Sequence, residues 1–251
     1  MRDASSFSLA LRSMLLLPAY LWQGIAVRRR TERLTPPSGP VAGAISGEGE
    51  PVRLLVTGDS SAAGVGVGNT SESLACRLAE LCASATGRPV TWRIAGFNSA
   101  VSAQLRDHVL PHVEPRDFTH VVLCIGTNDA KNWHSPGRFK RDFGGLIYAL
   151  RARFPAARIV WSPVIDMRAA PALPPLLGAI LEMRAELINR KGAELCRERG
   201  VIAAPRLPVE GPEGFSVDGF HAGAEGYAYW ARHLAPVLFA DLETRQPWPP
   251  L

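Results

Sequence analysis

Four short stretches of this 251-residue sequence carry side chains suited to nucleophilic chemistry. Gly58-Asp59-Ser60 ends an apolar run and opens into small residues and glycines, in LLVTGDSSAAGVGVG. Gly96-Phe97-Asn98-Ser99 and Gly126-Thr127-Asn128-Asp129 follow two further apolar runs. Asp218-Gly219-Phe220-His221 stands just before the last helical segment. A serine hydroxyl is a weak nucleophile at neutral pH. It needs a base, a group that orients that base, and hydrogen-bond donors for the oxyanion that forms. Ser60 is the candidate nucleophile, and the other three stretches hold candidates for each remaining need.

The glycines after Ser60 also invite a phosphate-binding reading, which fails on required residues. A P-loop needs Gly-x4-Gly-Lys-Ser/Thr, because the lysine reaches the phosphates and the hydroxyl holds the metal; the loop contains no lysine. The dinucleotide fingerprint needs a third glycine three residues after the second, and an acid at the end of the second strand for the ribose. Gly64-Val65-Gly66 is followed at that spacing by Asn69, Gly66-Val67-Gly68 by Ser71, and the second strand ends in Ile94-Ala95-Gly96.

The elements that must position these residues alternate regularly. Apolar, β-prone runs occur at Arg53–Thr57, Val90–Ile94, His120–Ile125, Arg158–Ser162 and Val201–Ala204. Between and after them, Ser73–Thr86, Phe139–Phe154, Leu176–Arg199 and Ala224–Phe239 have helical spacing, with Leu74, Leu78, Leu81 and Cys82 on one face of the first. Asn69 or Thr70 with Glu72 supplies its start signal. Nearly continuous hydrophobic strands alternating with helices predict a parallel sheet covered on both faces. Ligands of such sheets bind beyond the carboxyl ends of the strands, which is where the polar motifs fall. No repeat and no second globular domain is evident.

Taken in this order, the motifs resemble those of the SGNH hydrolases, the GDSL-type esterases and lipases, over roughly Val52 to Phe239. Gly58-Asp59-Ser60 matches the first block, Gly126-Thr127-Asn128-Asp129 the third and Asp218-Gly219-Phe220-His221 the fifth. The resemblance implies a flavodoxin-like, three-layer α/β/α sandwich with a five-stranded parallel sheet. It implies ester hydrolysis through an acyl-enzyme, with Ser60 as nucleophile, His221 as base and Asp218 as the group that stabilises the imidazolium. The implied oxyanion hole is the Ser60 backbone N–H, the Asn128 side-chain amide and a backbone N–H of the second block. There Ser99 stands where the family usually has glycine. The donor is kept, but a positive φ at Ser99 would add strain of roughly 1–2 kcal/mol; Asn98 is a second possible donor. The implied substrate is a small-molecule or lipid ester, and neither a cofactor nor a metal is called for.

Other residues admit structural readings. Asp59 is expected to support its turn, and Asp129 to act as a loop-stabilising acceptor. Trp133 and His134 either line the cleft or pack. The segment WSPVIDMRAAPALPPLL, Trp161 to Leu177, is either an apolar lip for an acyl chain or a connector. His108 and His112, separated by Pro111, read as surface residues. Cys76, Cys82, Cys124 and Cys196 contain no CxxC and read as small buried hydrophobes of a reducing compartment.

A hydrophobic fraction of 47% with 20% charged residues predicts a folded globular chain. The net charge of +5 is mild and several arginines form one block, so no nucleic-acid surface is expected. Residues 1–34 form an apolar N-terminal helix broken by Arg12, Pro18 and Gln23 and followed by Arg28, Arg29, Arg30 and Arg33. Three readings stay open for residues 7–33: a membrane-surface or anchoring helix, a helix packed on its own domain, or a signal sequence. The charge after the apolar segment favours retention of the folded domain on the cytoplasmic side of a membrane. Residues 35–51 read as a Pro/Gly/Ser-rich linker, 52–241 as the hydrolase domain and 242–251 as a tail. The alternatives to ester hydrolysis are an acyltransferase or deacetylase on a lipid-linked or carbohydrate substrate, and a non-catalytic binding domain that keeps the fold.

Overall fold

The computed structural model describes residues 4–114, 117–209 and 211–251. Its sheet has six strands, β1 (Ala42–Ile45), β2 (Val52–Gly58), β3 (Val90–Gly96), β4 (His120–Cys124), β5 (Arg158–Ser162) and β6 (Ile202–Ala203), in the order β1-β3-β2-β4-β5-β6. The five strands β2 to β6 pair in parallel, as the alternation predicts, and only β1 runs antiparallel, against β3. Successive strand residues face opposite sides. Leu54, Val56, Val122 and Val160 belong to one core layer, and Leu55, Val121, Leu123, Ile159 and Trp161 to the other.

Eight helices surround this sheet among the described residues: α1 (Ala4–Leu15), α2 (Leu17–Arg30), α3 (Leu74–Thr86), the single turn α4 (Ser102–Gln104), α5 (Thr127–Lys131), α6 (Pro136–Arg153), α7 (Pro175–Glu198) and α8 (Ala224–Leu238). Helices α3 and α8 cover one face, with Leu74, Leu78, Tyr227 and Leu234 in that layer; α6 and α7 cover the other, with Phe139, Phe143 and Ile188. The start of α3 is more divided than its sequence suggests. Asn69 caps a separate single turn by accepting from the Ser71 N–H, and Ser73 is the N-cap of α3 itself.

Two N-terminal expectations are corrected. The apolar segment is not one helix: α1 and α2 meet at an angle of 66°. Pro18 sits in the first turn of α2, where it has no N–H to give, and its ring would collide with the carbonyl four residues back if α1 continued. Both helices pack against α7. Tyr20 packs against Trp133 with the rings tilted and 4.6 Å between centroids, and its hydroxyl donates to the Lys131 carbonyl.

Residues 35–51, read as a linker, instead lie on the domain and supply β1. Without β1, strand β3 would present an unpaired edge. Ala42 pairs with Arg93 and Ile45 with Val90, and the Val41 carbonyl accepts from the Ile94 N–H at 2.7 Å. Gly43 faces Trp92 so closely that a Cβ on it would lie 2.6 Å from the indole. A glycine required for close approach looks like a flexible linker in sequence. At the other terminus Trp248 stacks on Phe239, and Gln246 bonds Ser84.

Gly43→Leu is expected to overpack this contact and cost about 1–3 kcal/mol, lowering the thermal midpoint by roughly 2–10 °C. An unchanged melting curve would contradict the seating of β1 on Trp92.

Candidate active site

Strand β2 delivers Ser60 to the carboxyl edge of the sheet. It ends at Gly58, with φ of 153°, where a Cβ would lie 1.9 Å from the Cys124 carbonyl oxygen. The chain turns at once: the Asp59 N–H donates to that carbonyl at 2.9 Å, the Ala63 N–H to Asp59 O and the Val65 N–H to Ser60 O. The Asp59 carboxylate accepts from the Ser61 N–H at 3.0 Å, the turn-supporting role expected of it. Burial pushes the Asp59 carboxyl up to about 6, despite the Ser61 hydrogen bond and the nearby Lys131. The backbone N–H groups of Ser60 and Ser99 have no acceptor among the described residues.

One of the glycines after Ser60 makes room for the loop that carries His221. Gly66, at φ of 113°, leaves no room for a side chain: a Cβ would lie 2.2 Å from the Ala222 carbonyl oxygen and 3.1 Å from the His221 Cβ. The Tyr227 hydroxyl of α8 ties the same turn down by donating to Val65 O at 2.8 Å.

Within the second loop, Asp218 Oδ1 accepts from the Phe220 and His221 N–H groups, both at 2.9 Å, and from the Ser216 hydroxyl at 2.8 Å. Asp218 Oδ2 lies 2.5 Å from His221 Nδ1, and His221 Nε2 lies 3.1 Å from Ser60 Oγ. Burial alone would raise the Asp218 pKa. The hydrogen bonds from the His221 ring, the two backbone amides and Ser216 outweigh it and hold the carboxyl well below the usual range. An ionised Asp218 can only accept, so Nδ1 carries the proton and the Nε2 lone pair faces the serine hydroxyl.

Asn128, in the first turn of α5, donates through its side-chain amide to Ala100 O at 3.0 Å and lies 3.5 Å from Asp59 Oδ2. The loop after β3 is held beside the Ser60 turn by the Phe97 N–H, which donates to Gly58 O at 3.0 Å. Ser99 has φ of 65°, the left-handed conformation that glycine adopts without cost. Its Oγ makes only a 3.4 Å contact with Asn98 Oδ1.

A second group has the residue types of a triad. Asp129 accepts from the Ser102 hydroxyl at 3.0 Å and the Ser102 N–H at 3.1 Å, and lies 3.0 Å from His134 Nδ1. Its connectivity differs, because the carboxylate stands between the serine and the histidine and the imidazole does not reach the hydroxyl. All three residues are buried, and none lines either cavity at the site. Asp129 is therefore the loop-stabilising acceptor expected of it, and His134 belongs to the packing. Trp133 packs too: it meets the tilted ring of Tyr20, receives Arg184 at 4.9 Å from its ring centroid, and contacts the Met14 sulfur.

Two cavities meet at Phe220 and His221. The first, of about 350 Å³, contains Ser60 and Asn128 and is walled by Ile165, Met167, Leu207, Phe215 and Trp230. The second, of about 540 Å³, runs from Ser99 and His221 to Tyr20 and Arg28 of α2. The Pro-rich segment after β5 serves as an apolar lip in both, through Ile165 and Met167 in one and Leu173 and Leu177 in the other. Leu207, Phe215 and Trp230 went unmarked in the sequence; the side-by-side aromatics Tyr229 and Trp230 on α8 were the available signal.

Replacing Ser99 by Gly relieves strain of about 1–2 kcal/mol and gives back about 0.4–1 kcal/mol through the looser unfolded chain. The expected net gain of roughly 0.5–1 kcal/mol raises the thermal midpoint by about 1–4 °C. A lowered midpoint would mean that the Ser99 side chain makes a contact worth more than its strain.

Comparison with known proteins places the chain in a family. The GDSL-like lipase/acylhydrolase family matches residues 56–229, more than half of the chain. A GDSL-like esterase of Mycobacterium tuberculosis is 26% identical over 201 residues, which are 76% of this chain and 62% of that protein's length. Among solved structures, TesA superposes with a TM-score of 0.62 at 21% identity, over 76% of this chain and 99% of its own. Phospholipase A1 of Streptomyces albidoflavus does so with a TM-score of 0.53 at 16% identity, over 78% and 99%. At such identities the structural matches establish the fold, an SGNH hydrolase-like α/β sandwich. With Ser60, Asn128 and His221 all inside the matched region, the chain belongs to the GDSL-like lipase/acylhydrolase family.

Proposed function

We propose that this protein hydrolyses carboxylic esters through an acyl-enzyme on Ser60. The observation that carries the reading is the continuous hydrogen-bond chain Asp218–His221–Ser60 opening onto an apolar cavity. In this reading His221 Nε2 takes the hydroxyl proton as Ser60 Oγ bonds to the ester carbon, and the ionised Asp218 stabilises the imidazolium. The carbonyl oxygen gains the negative charge and is met by the unused N–H groups of Ser60 and Ser99 and by the Asn128 amide. The carbon–oxygen bond to the alcohol then breaks, and the alcohol leaves with the proton held on His221. Water repeats the sequence, giving its proton to His221 and its oxygen to the acyl group, and Ser60 is restored.

Short-chain p-nitrophenyl esters test this. Ser60→Ala is expected to lose at least about a thousandfold in kcat, and Asn128→Ala about 10²–10³-fold. Equal rates from wild type and Ser60→Ala would overturn the serine mechanism. Adding acceptor alcohols and analysing the products separates hydrolysis, which yields free acid, from acyl transfer, which yields a new ester.

We further propose that the protein works at an anionic membrane surface. Among the described residues no single helix is long and apolar enough to cross a membrane. Yet α1 and α2 leave Phe7, Leu15 and Trp22 exposed at 61%, 74% and 74%, with Leu11, Leu21 and Ile25 also in solvent. Arg28, Arg29 and Arg30 follow in the last turn of α2. Exposed apolar side chains beside a basic cluster suit a helix pair lying in the headgroup region.

Vesicles containing anionic phospholipid are expected to bind the full chain more tightly than zwitterionic ones, with binding weakened by salt. The double variant Leu15→Ser, Trp22→Ser should bind at least about tenfold more weakly, since each buried side chain is worth roughly 1.5–3 kcal/mol. Co-sedimentation that is absent, or unchanged in the double variant, would overturn this proposal.

A further inference from the structure

The two cavities differ in chemistry. The first holds Ser60 and Asn128, the groups around the acyl carbon, and its far wall is aliphatic and aromatic. The second begins at His221, the group that hands its proton to the departing alcohol, and does not include Ser60. The acyl half of an ester therefore fits the first cavity and the alcohol half the second.

The second cavity carries cations without matching anions. Lys131, Arg28 and Arg33 line it, against the carboxylates of Glu32 and Asp218. Asp218 is already engaged by His221, Ser216 and two backbone amides. Lys131 is the telling residue. Its ammonium lies 4.6 Å from the centroid of the Phe220 ring and forms no ion pair among the described residues. Burial lowers the Lys131 pKa, Asp59 and Asp218 act to raise it, and Arg28 acts to lower it again. A desolvated ammonium facing an aromatic ring, with an arginine nearby, gains from any anion that enters. Asn98, Ser99 and Asn132 add polar groups on the same lining. The cavity's α2 wall is fixed by the Tyr20 hydroxyl on the Lys131 carbonyl, so the helix that roofs it and the lysine that charges it are held together.

We propose that this second cavity is the alcohol subsite and selects esters whose alcohol half bears a negative charge, a phosphate or carboxylate held by Lys131 with Arg28. The proposal rests on the serine-hydrolase reading for the orientation of the ester. It goes beyond that reading in naming the class of alcohol and the residues that recognise it.

Monobutyrylglycerol and its phosphate monoester differ only by the phosphate on the alcohol side, and the butyryl ester of glycolate carries a carboxylate there instead. Butyrate release gives kcat/KM for each. Wild type is expected to favour at least one anionic ester over the neutral one by about tenfold or more, and the preferred one identifies the anion. In Lys131→Met and Arg28→Gln the ratio of anionic to neutral kcat/KM should each fall about tenfold, the loss of one charge-assisted hydrogen bond. Because the readout is a ratio on the same preparation, a variant that folds poorly does not mimic the result. A ratio near one in wild type, or a ratio unmoved by both variants, would overturn the subsite.

Calorimetry on Ser60→Ala needs no turnover. Glycerol phosphate or glycolate should bind where glycerol does not, and binding should weaken about tenfold when Lys131→Met is added. Binding with no ester cleavage by wild type would retain the subsite and overturn the serine reading. Cleavage with no anion binding would do the reverse.

Discussion

Everything at this site depends on the contact between two loops that are far apart in sequence. The turn after β2 and the loop before α8 touch where Gly66 faces the Ala222 carbonyl, at a separation that admits no side chain. That contact sets the 3.1 Å between His221 Nε2 and Ser60 Oγ. The Tyr227 hydroxyl on Val65 O clamps it from below. A hydrogen bond between two exposed loops contributes little by itself, because each partner gives up water to make it. Here both loops are held by backbone geometry, so the Ser60–His221 distance costs little further entropy.

The charge on Asp218 depends on the same packing. An isolated carboxyl buried to this degree would tend to take up a proton. Four hydrogen-bond donors prevent that, all from the loop that carries Asp218 itself: the Ser216 hydroxyl, the Phe220 and His221 N–H groups and the His221 ring. Asp59, only one residue from Ser60, is treated the opposite way. It is fully enclosed with one good donor, and its carboxyl rises to about 6. Two aspartates close to one hydroxyl thus differ in proton affinity because Asp218 has four short donors, whereas buried Asp59 has the Ser61 N–H and only a long, 3.5 Å contact from the Asn128 amide. Asp218 is the one suited to steady an imidazolium, and Asp59 the one suited to brace a turn.

The N-terminal helices join the site to whatever lies outside it. Trp133 adopts φ of 58°, unusual for so large a residue, and its ring is taken up by Tyr20, Arg184 and Met14. Through it, α5, which also carries Asn128, is coupled to α1 and α2. Helix α2 walls the second cavity, while Leu15 of α1 and Trp22 of α2 lie in solvent.

Much of this was legible in the sequence, for definite reasons. Continuous apolar runs can only be buried strands when helices separate them, so the five parallel strands and their covering helices followed from pattern. The motifs at strand ends marked Ser60, Asn128, Asp218 and His221 because chemistry in such a sheet sits beyond its carboxyl edge. The positive φ of Ser99 could be anticipated only as a condition. Strand β1 could not be read, because Gly43 owes its identity to the Trp92 ring, a partner about fifty residues away, and alone it resembles a linker. The motifs singled out Ser60, Asp218 and His221 and left Asp129 to its loop, but they could not show how either Ser–Asp–His group is connected. Residue types are the same in both, and only the tertiary structure decides that Asp129 stands between Ser102 and His134 while His221 stands between Asp218 and Ser60. Local pattern is set by neighbours along the chain; proton-transfer order is set by distances across it.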